Sequence, residues 1–207
     1  MKLIFPCDYI GITQGYKSSH KAIDMGWSTG NGGPNHKILA PYDGVVTYVK
    51  NSIRTRNTSS KTYGNYIKIN HGNGVVTLVA HLKYDSIRVK VGDKVKTGDI
   101  LGIMGNTGYS FGVHCHYEVI INGTKVNPLK YTYYTKNQVV GKNTLNKYKP
   151  MLLESEGIKV EEHIKNEPVK EEVNPTIDDT LFEYICNKSG MYKICLLYTS
   201  DAADDKA

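Results

Sequence analysis

Two histidines, His114 and His116, lie two residues apart in the stretch Gly112-Val-His-Cys-His-Tyr-Glu118. Apolar residues alternate with polar ones there, which predicts a β-strand whose successive side chains point to opposite faces. The two imidazoles would share one face with Glu118, while Cys115 would lie on the other. Two imidazoles held in this way can bind a metal ion. Two histidines on a solvated strand face are the alternative, because so short a motif is weak evidence by itself.

Two further places in the chain supply residue types that suit the same site. His20 and Asp24 are four residues apart, so their side chains point the same way in either a helix or a strand. His81 lies near the end of a predicted strand, where it can point into a cleft. Three nitrogen or oxygen ligands with an open position are typical of catalytic zinc, and additional histidines suit proton transfer. A loop histidine with a turn-capping aspartate is the alternative for the first pair.

The segments that carry these residues are short strands separated by tight turns. Residues 65–70 alternate apolar and polar side chains, residues 75–81 are predicted to be the return strand, and Asn73-Gly74 between them is a hairpin signal. A second such turn, Asn122-Gly123, follows the His-Cys-His strand. Little helical periodicity occurs from residue 10 to about residue 130. We therefore predict an all-β fold, in which His71, just before the first turn, has a structural role.

Charge is divided unevenly along the chain. Residues 1–150 contain 20 Lys and Arg against 7 Asp and Glu, a net charge of +13, whereas residues 151–207 contain 6 against 13, a net charge of −7. A basic first part favours a polyanionic partner such as nucleic acid, a membrane surface or an anionic cell wall. A soluble lysine-rich surface without such a partner is the alternative.

Several classes of protein are disfavoured by what the sequence lacks. No apolar run approaches the ~20 residues that a membrane-spanning helix needs. The N-terminus has too short an apolar core for a signal peptide. The four cysteines form no CxxC pair, which argues against a disulfide framework or a cysteine zinc site. We expect no membrane span and folding in a reducing compartment.

The strand pattern lapses after residue 135. Residues 136–180 are mostly polar and charged, which predicts a largely disordered linker. Residues 181–194 resemble two strands around a Lys-Ser-Gly turn, the start of a truncated second β-domain. Residues 195–207 change character abruptly and resemble a translated sequencing adaptor, so we predict that they are an artefactual tail.

An ordered series of motifs from about residue 10 to residue 130 resembles the lysostaphin-type (LytM-type) zinc endopeptidases, which cut peptidoglycan cross-bridges and stem peptides. So many segments in one order make the match specific. The matching segments are His20 to Asp24, Ala40 to Val46, Gly64 to Gly72, Thr77 to Leu82, 89–102, Gly105 to Gly108 and the His-x-His-Tyr-Glu strand.

The resemblance implies a compact antiparallel β-sheet or half-barrel with a zinc-site groove, formed by residues 1–135. It also implies a role for each of the five candidate residues. A non-catalytic relative would be expected to lack some of them, whereas all five are present here. The implied ligands of one zinc ion are His20, Asp24 and His116, and the implied catalytic pair that does not bind the metal is His81 and His114.

The chain departs modestly from the family pattern. It has Gln14-Gly-Tyr-Lys17 where the family often has Phe-Gly-x-Arg, and His-Cys-His-Tyr-Glu where the family often has His-Leu-His-Phe-Glu. Tyr16 is predicted to contact substrate, with a buried strand aromatic as the alternative. Cys115 is expected to be a packed core thiol, and Glu118 is expected to orient a neighbouring residue.

The predicted function is zinc-dependent hydrolysis of peptide bonds in bacterial peptidoglycan by a monomer, with no nucleic-acid partner. The alternative is a non-catalytic peptidoglycan-binding or regulatory protein of the same fold. A carrier domain of the biotinyl or lipoyl type, suggested by the repeated Gly-Asp turns at 92–99, leaves the five residues unexplained. The layout resembles a phage endolysin or tail-associated lysin, made in the cytoplasm and acting on the wall after release or within a virion. A bacterial extracellular autolysin with an incomplete N-terminus is the alternative.

Overall fold

A computed structural model describes residues 1–26, 35–141, 144 and 147–148. The predicted second β-domain, the predicted tail and most of the predicted linker lie outside the described residues. Within the described ranges, no helix has the length and apolarity needed to cross a membrane. The elements are β1 (Leu3–Ile4), β2 (Tyr9–Ile10), β3 (Ile12–Gln14), β4 (Ile23–Gly26), β5 (Lys37–Leu39), β6 (Gly44–Lys50), β7 (Asn65–Asn70), β8 (Val75–Leu82), β9 (Lys94–Val95), β10 (Ile100–Ile103), β11 (His114–Ile121), β12 (Thr124–Val126), a 3₁₀ helix (Pro128–Lys130), β13 (Thr132–Tyr133) and β14 (Val139–Val140).

Eight strands form one antiparallel sheet, in the spatial order β3-β4-β11-β8-β7-β6-β9, with β12 also paired to β11. Both predicted hairpin turns are present. Asn73 and Gly74 join β7 to β8 with φ of 50° and 74°, and Asn122 and Gly123 join β11 to β12 with φ of 49° and 79°. Positive φ at both central residues matches the twist of a two-residue hairpin. The all-β prediction is confirmed.

Alternation along the strands separates an apolar face of the sheet from a polar one. Ile67 and Ile69 of β7, Val79 of β8, and Tyr117 and Val119 of β11 are all at most 1% exposed. The N-terminal segment packs onto the same core. Removing this apolar surface from water is the main force that fixes which face of each strand points inward.

Short two-stranded sheets attach both ends of the domain to this core. β1 pairs in parallel with β13, β2 pairs in parallel with β14, and β5 pairs antiparallel with β10. β14 lies within the stretch that the sequence assigned to the linker. The Gln138 amide donates hydrogen bonds of 2.7 Å to the carbonyl oxygens of Phe5 and Cys7, and Val140 packs against the core. Residues 136–141 therefore pack against the N-terminal strands. Their polar composition predicted a linker because it does not indicate these backbone partners.

Gly64, just before β7, packs closely against the loop that follows β10. Its φ is +62°, and a Cβ added there would overlap the carbonyl oxygen of Thr107. Gly108 has a φ of +73°, and its added Cβ would overlap the Gly64 amide nitrogen. Only glycine combines a left-handed backbone with so close an approach at low cost.

We expect Gly64→Ala to destabilise the domain more than Gly92→Ala. Gly92 also has a positive φ, of +94°, but nothing lies within 4 Å of its added Cβ. The Gly92 variant therefore carries only backbone strain, about 1–3 kcal/mol, whereas Gly64→Ala adds a steric clash. Urea denaturation measures both losses. Equal losses in the two variants would contradict the close approach at Gly64.

His71 is a buried structural residue at the end of the β7–β8 hairpin, as the sequence indicated. Its side chain bridges the turn before β6 and the β8 strand. Nδ1 lies 3.0 Å from the Asp43 carbonyl oxygen, and Nε2 lies 2.7 Å from the Thr77 hydroxyl. Burial lowers the pKa of His71 below the ordinary value, and the hydrogen bonds to backbone carbonyls only partly offset this effect.

The lowered pKa predicts a pH dependence of stability. Because the unfolded chain binds a proton at His71 more readily than the native state does, this residue contributes stability above the unfolded pKa of about 6.5 that is lost as the pH falls below it. His71→Gln should make the free energy of unfolding depend less steeply on pH between about 8 and 5. Urea denaturation across that range measures the slope, and a slope equal to that of the unsubstituted protein would disprove the contribution.

Candidate metal centre and catalytic groove

The five candidate residues predicted from the sequence lie together in one open groove of about 870 Å³. The register of the central strand brings them there. His116 of β11 lies directly opposite Asp24 of β4, so both side chains project from the same face of the sheet. His20 lies in the turn before β4, where its backbone exchanges two 3.0 Å hydrogen bonds with Lys17. His114 is one strand period before His116 on the same face.

His20, Asp24 and His116 form a set of three potential metal ligands. One ligand atom from each residue lies within 4.8 Å of the others. His116 Nδ1 is 2.9 Å from Asp24 Oδ1. His20 Nε2 is buried and 3.3 Å from Asp24 Oδ2, yet it is not aligned for a hydrogen bond with any group among the described residues. Two imidazoles and a carboxylate converging in this way fit a zinc-type cation, because each offers a lone pair toward a common point.

The charges of these three groups are strongly coupled. Burial raises the pKa of Asp24, but the hydrogen bond with His116 and the nearby histidine rings outweigh burial, so the pKa is below its ordinary value. Burial lowers the pKa of His116, but its hydrogen bonds to Asp24 and Glu118 leave the pKa raised. For His20, burial dominates and lowers the pKa. A divalent cation would take over the neutralisation of Asp24, with both histidines bound in their neutral form.

The other two histidines are held by backbone carbonyl groups. His81 Nδ1 lies 2.7 Å from the Thr107 carbonyl oxygen, and His114 Nδ1 lies 2.8 Å from that of Gly112. A carbonyl can only accept, so each Nδ1 carries the hydrogen and Nε2 is the nitrogen left for chemistry in the groove. The two rings have centroids 4.7 Å apart. Burial and the neighbouring His114 lower the pKa of His81 to about 4.

A β-bulge turns His81 into the groove. Strict alternation would place His81 on the core face with Val79, which lies opposite the buried Tyr117 of β11. Leu82 pairs with Asn65 and Ala80 pairs with the next residue of β7, so His81 is an extra residue in β8. Its φ is +63°, in the left-handed region. Such bulges redirect side chains beside active sites, at a cost that the surrounding contacts must offset.

The loop that anchors His81 is itself fixed by hydrogen bonds. The Thr107 hydroxyl donates to the Leu82 carbonyl at 2.7 Å and accepts from the Asn65 amide at 2.9 Å. The His114 amide donates to the Gly105 carbonyl at 3.1 Å. The loop between β10 and β11 thus carries the carbonyl groups that orient both histidines, a role that the sequence did not indicate.

A sequence profile of peptidase family M23 matches residues 18–128, more than half of the chain. The chain belongs to peptidase family M23. The family predicted from the motifs is therefore confirmed.

Three proteins are similar to this M23 domain in sequence. A Buchnera aphidicola protein named an uncharacterized metalloprotease is 42% identical over 54% of this chain and 26% of its own length. The peptidoglycan DD-endopeptidase ShyA of Vibrio cholerae is 44% identical over 42% of this chain and 18% of its own length. The murein hydrolase activator NlpD of Escherichia coli is 34% identical over 56% of this chain and 26% of its own length.

A zinc-containing peptidase from Vibrio cholerae has a related structure, with a TM-score of 0.50 and 26% identity. The similarity covers 61% of this chain and 39% of that one. The chain thus spans about a quarter or less of the length of the sequence relatives described above.

Other residues singled out from the sequence lie away from the groove of the M23 domain. Tyr16 is not among the groove-lining residues; its ring packs against the core and its hydroxyl donates to the Lys125 carbonyl at 3.2 Å. Cys115 is fully buried on the opposite strand face, and burial raises the pKa of its thiol well above the ordinary value. A histidine that the sequence did not single out, His36, also lies outside the groove, with its Nδ1 3.0 Å from Asp8 Oδ1.

Sequence reasoning missed several groove residues of the M23 domain. Thr13 and Gln14 of β3 line the groove near Asp24. Tyr109 and Phe111, which is 71% exposed, line it from the loop before β11. Tyr63 and Lys125 were also missed, although both contact the strand that carries His116. Nothing in the local sequence marks these residues, because they reach the groove from separate loops and a different hairpin.

We expect the M23 domain to bind one zinc ion, and His20→Ala, Asp24→Ala and His116→Ala each to weaken that binding by more than about 100-fold, because each variant removes a ligand. Competition with a chelator of known affinity measures the change. His36→Ala is the control, since it removes a histidine outside the groove. Undiminished binding by the His116 variant would rule out this ligand set.

Proposed function

We propose that this chain is a zinc-dependent endopeptidase that hydrolyses peptide bonds in bacterial peptidoglycan. The observation that carries the proposal is the convergence of three ligand atoms within 4.8 Å of one another, beside two histidines whose Nε2 atoms remain available in the same groove. The family, the relative named a DD-endopeptidase and the zinc-containing structural neighbour support the reaction and the metal. This chain covers 18% of the DD-endopeptidase and 39% of the zinc-containing peptidase, and peptidoglycan is proposed as its own substrate.

Three side chains would hold the metal: His20 through Nε2, Asp24 through its carboxylate and His116 through Nδ1. When bound, zinc supplies Lewis-acid polarisation of a scissile carbonyl group and makes a water molecule more acidic. Asp24 contributes one negative charge, and its low pKa keeps it ionised at neutral pH.

His81 and His114 would move protons. Because each Nδ1 hydrogen is donated to a backbone carbonyl, Nε2 is the atom that can accept a proton from an attacking water. A protonated Nε2 can then stabilise the tetrahedral oxyanion or pass its proton to the leaving amine. With a pKa of about 4, His81 starts this cycle neutral at physiological pH.

The proposal is tested by the release of new amino groups from purified Gram-positive and Gram-negative peptidoglycan. We expect release by the zinc-loaded chain, and loss of release with a chelator or in His116→Ala. Mass spectrometry of the fragments identifies the bond. Tight zinc binding without release from any wall would contradict an endopeptidase and favour a binding or regulatory role.

Variants of the proton-transfer residues separate chemistry from metal binding. We expect His81→Ala and His114→Ala each to lower the rate of bond cleavage by about 100-fold or more, the usual effect of losing a general acid or base. Their zinc content should stay at one ion per chain, because neither residue is among the three ligands. Initial rates and metal analysis of the same preparations measure both quantities. A normal rate in both variants would exclude the proposed proton transfer.

The second candidate function is activation or binding without catalysis. One observation favours it: a relative named a murein hydrolase activator is 34% identical over 56% of this chain. The presence of all five candidate residues favours catalysis instead. The amino-group assay decides between the two functions.

The remaining sequence predictions stand as proposals for the whole protein. We propose a catalytic domain that begins at residue 1 and includes β14 beyond the predicted boundary at 135, a linker over the rest of 136–180, a second module from 181 and an artefactual tail at 195–207. A phage lysin that acts as a monomer on peptidoglycan, without a nucleic-acid partner, suits this layout, in which the second module would bind the wall.

A further inference from the structure

Glu118 lies behind His116, on the side of the imidazole ring away from Asp24, and is almost fully buried, with 2% exposure. Its Oε1 has three partners: His116 Nε2 at 3.1 Å, the Tyr63 hydroxyl at 2.8 Å and Lys125 Nζ at 2.7 Å. Lys125 Nζ also donates to the Tyr63 hydroxyl at 3.0 Å. These four side chains form a hydrogen-bonded cluster around Oε1, whereas Oε2 is buried without a hydrogen-bond partner among the described residues. A buried carboxylate needs such partners to offset the loss of hydration.

Three parts of the fold meet in this cluster. Glu118 follows His116 by one strand period on β11, so both project from the groove face. Lys125 lies on β12 and is paired with Ile120, whose side chain shares that face. Tyr63 comes from the loop before β7, and its ring lies 5.7 Å from the His116 ring. The Asn122-Gly123 hairpin therefore places a cation beside the buried carboxylate.

The cluster controls which nitrogen of His116 faces Asp24. Hydrogen bonding of Nε2–H to Glu118 makes Nδ1 the nitrogen that faces Asp24, where the three ligand atoms converge, so Nδ1 is the atom that would exchange its proton for a metal ion. A carboxylate that accepts from a metal-binding histidine fixes the ring orientation and raises its basicity. Here the Glu118 carboxylate is fixed in turn by Lys125 and Tyr63. Among the described hydrogen bonds, neither residue bonds directly to any of the three proposed ligands.

We propose that Lys125 and Tyr63 are positioning residues for the metal site, which act through Glu118 to hold His116 in its metal-binding tautomer and orientation. The inference rests on the proposed function, since it takes His116 as a zinc ligand. Lys125 has the larger role, because it supplies both a charge and two hydrogen bonds to the cluster. Tyr63 supplies one hydrogen bond to Glu118 and packs against the ring.

The test measures zinc affinity by chelator competition on the metal-free full chain, without substrate. We expect Lys125→Met to weaken zinc binding by about 10-fold or more, within the range of about 10–100-fold typical of residues behind a ligand. Lys125→Arg, which keeps the charge and the donors, should recover most of the affinity. Tyr63→Phe should cause a smaller loss in the same direction. The absorption spectrum of the cobalt-substituted protein should change in Lys125→Met, because the geometry at His116 changes.

Lys61→Met is the matched control. Lys61 also lines the groove, so replacing it removes a positive charge near the site. It is not among the hydrogen-bond partners of Glu118, which are Tyr63, His116 and Lys125. We expect its zinc affinity to match that of the unsubstituted chain within about twofold. An equal loss in the Lys61 and Lys125 variants would overturn the proposal in favour of a general effect of charge.

The remaining outcomes are also decisive. Unchanged zinc affinity and an unchanged cobalt spectrum in Lys125→Met would overturn the inference while leaving the proposed function intact. If the unsubstituted chain itself binds no zinc, the proposed function fails first, and the inference fails with it. If Lys125→Met does not fold, as judged by circular dichroism, Tyr63→Phe decides in its place, because it removes one hydroxyl and keeps the ring.

Discussion

The register of β11 between β4 and β8 is the constraint on which the rest of the site depends. It sets His116 opposite Asp24 on one side and opposite Ala80 on the other. Because strand side chains alternate with a period of two, a slip by one residue would send His116 into the core and bring Cys115 to the groove. The buried apolar face, with Tyr117 and Val119, penalises that slip strongly. The core thus positions the three proposed metal ligands by specifying the register.

Buried charge is the second organising feature. Asp24 and Glu118 are the acidic residues that line the groove, and each has neighbouring donor side chains. Asp24 faces histidines and the proposed cation, whereas Glu118 faces Lys125 and Tyr63. His116 lies between the two carboxylates and hydrogen-bonds to both. The two acids therefore have separate tasks, one at the metal and one behind its ligand, because their partners differ.

The orientation of His81, one of the two proposed proton-transfer residues, depends on irregular backbone rather than on regular strand geometry. The bulge at His81 reverses the direction that alternation would give its side chain, and Thr107 then accepts its Nδ1 hydrogen. Gly64 and Gly108 permit the close approach that brings the Thr107 carbonyl within reach. Strain at His81 is thus maintained by a loop that the Thr107 hydroxyl fixes to Leu82 and Asn65, which is how a folded domain can hold a side chain ready for chemistry.

The sequence by itself determined the all-β class, the two Asn-Gly hairpins, the family and the five candidate residues, because period-two alternation, turn chemistry and motif spacing are local properties. Tertiary structure decided what depends on contacts between distant segments. It placed Tyr16 against the core, extended the packed unit through β14, and turned His81 by a bulge that the local sequence does not indicate. It also joined Tyr63, Glu118 and Lys125 behind His116. No local pattern encodes that cluster, because its hydrogen bonds form only after a loop, a central strand and a second hairpin have packed together.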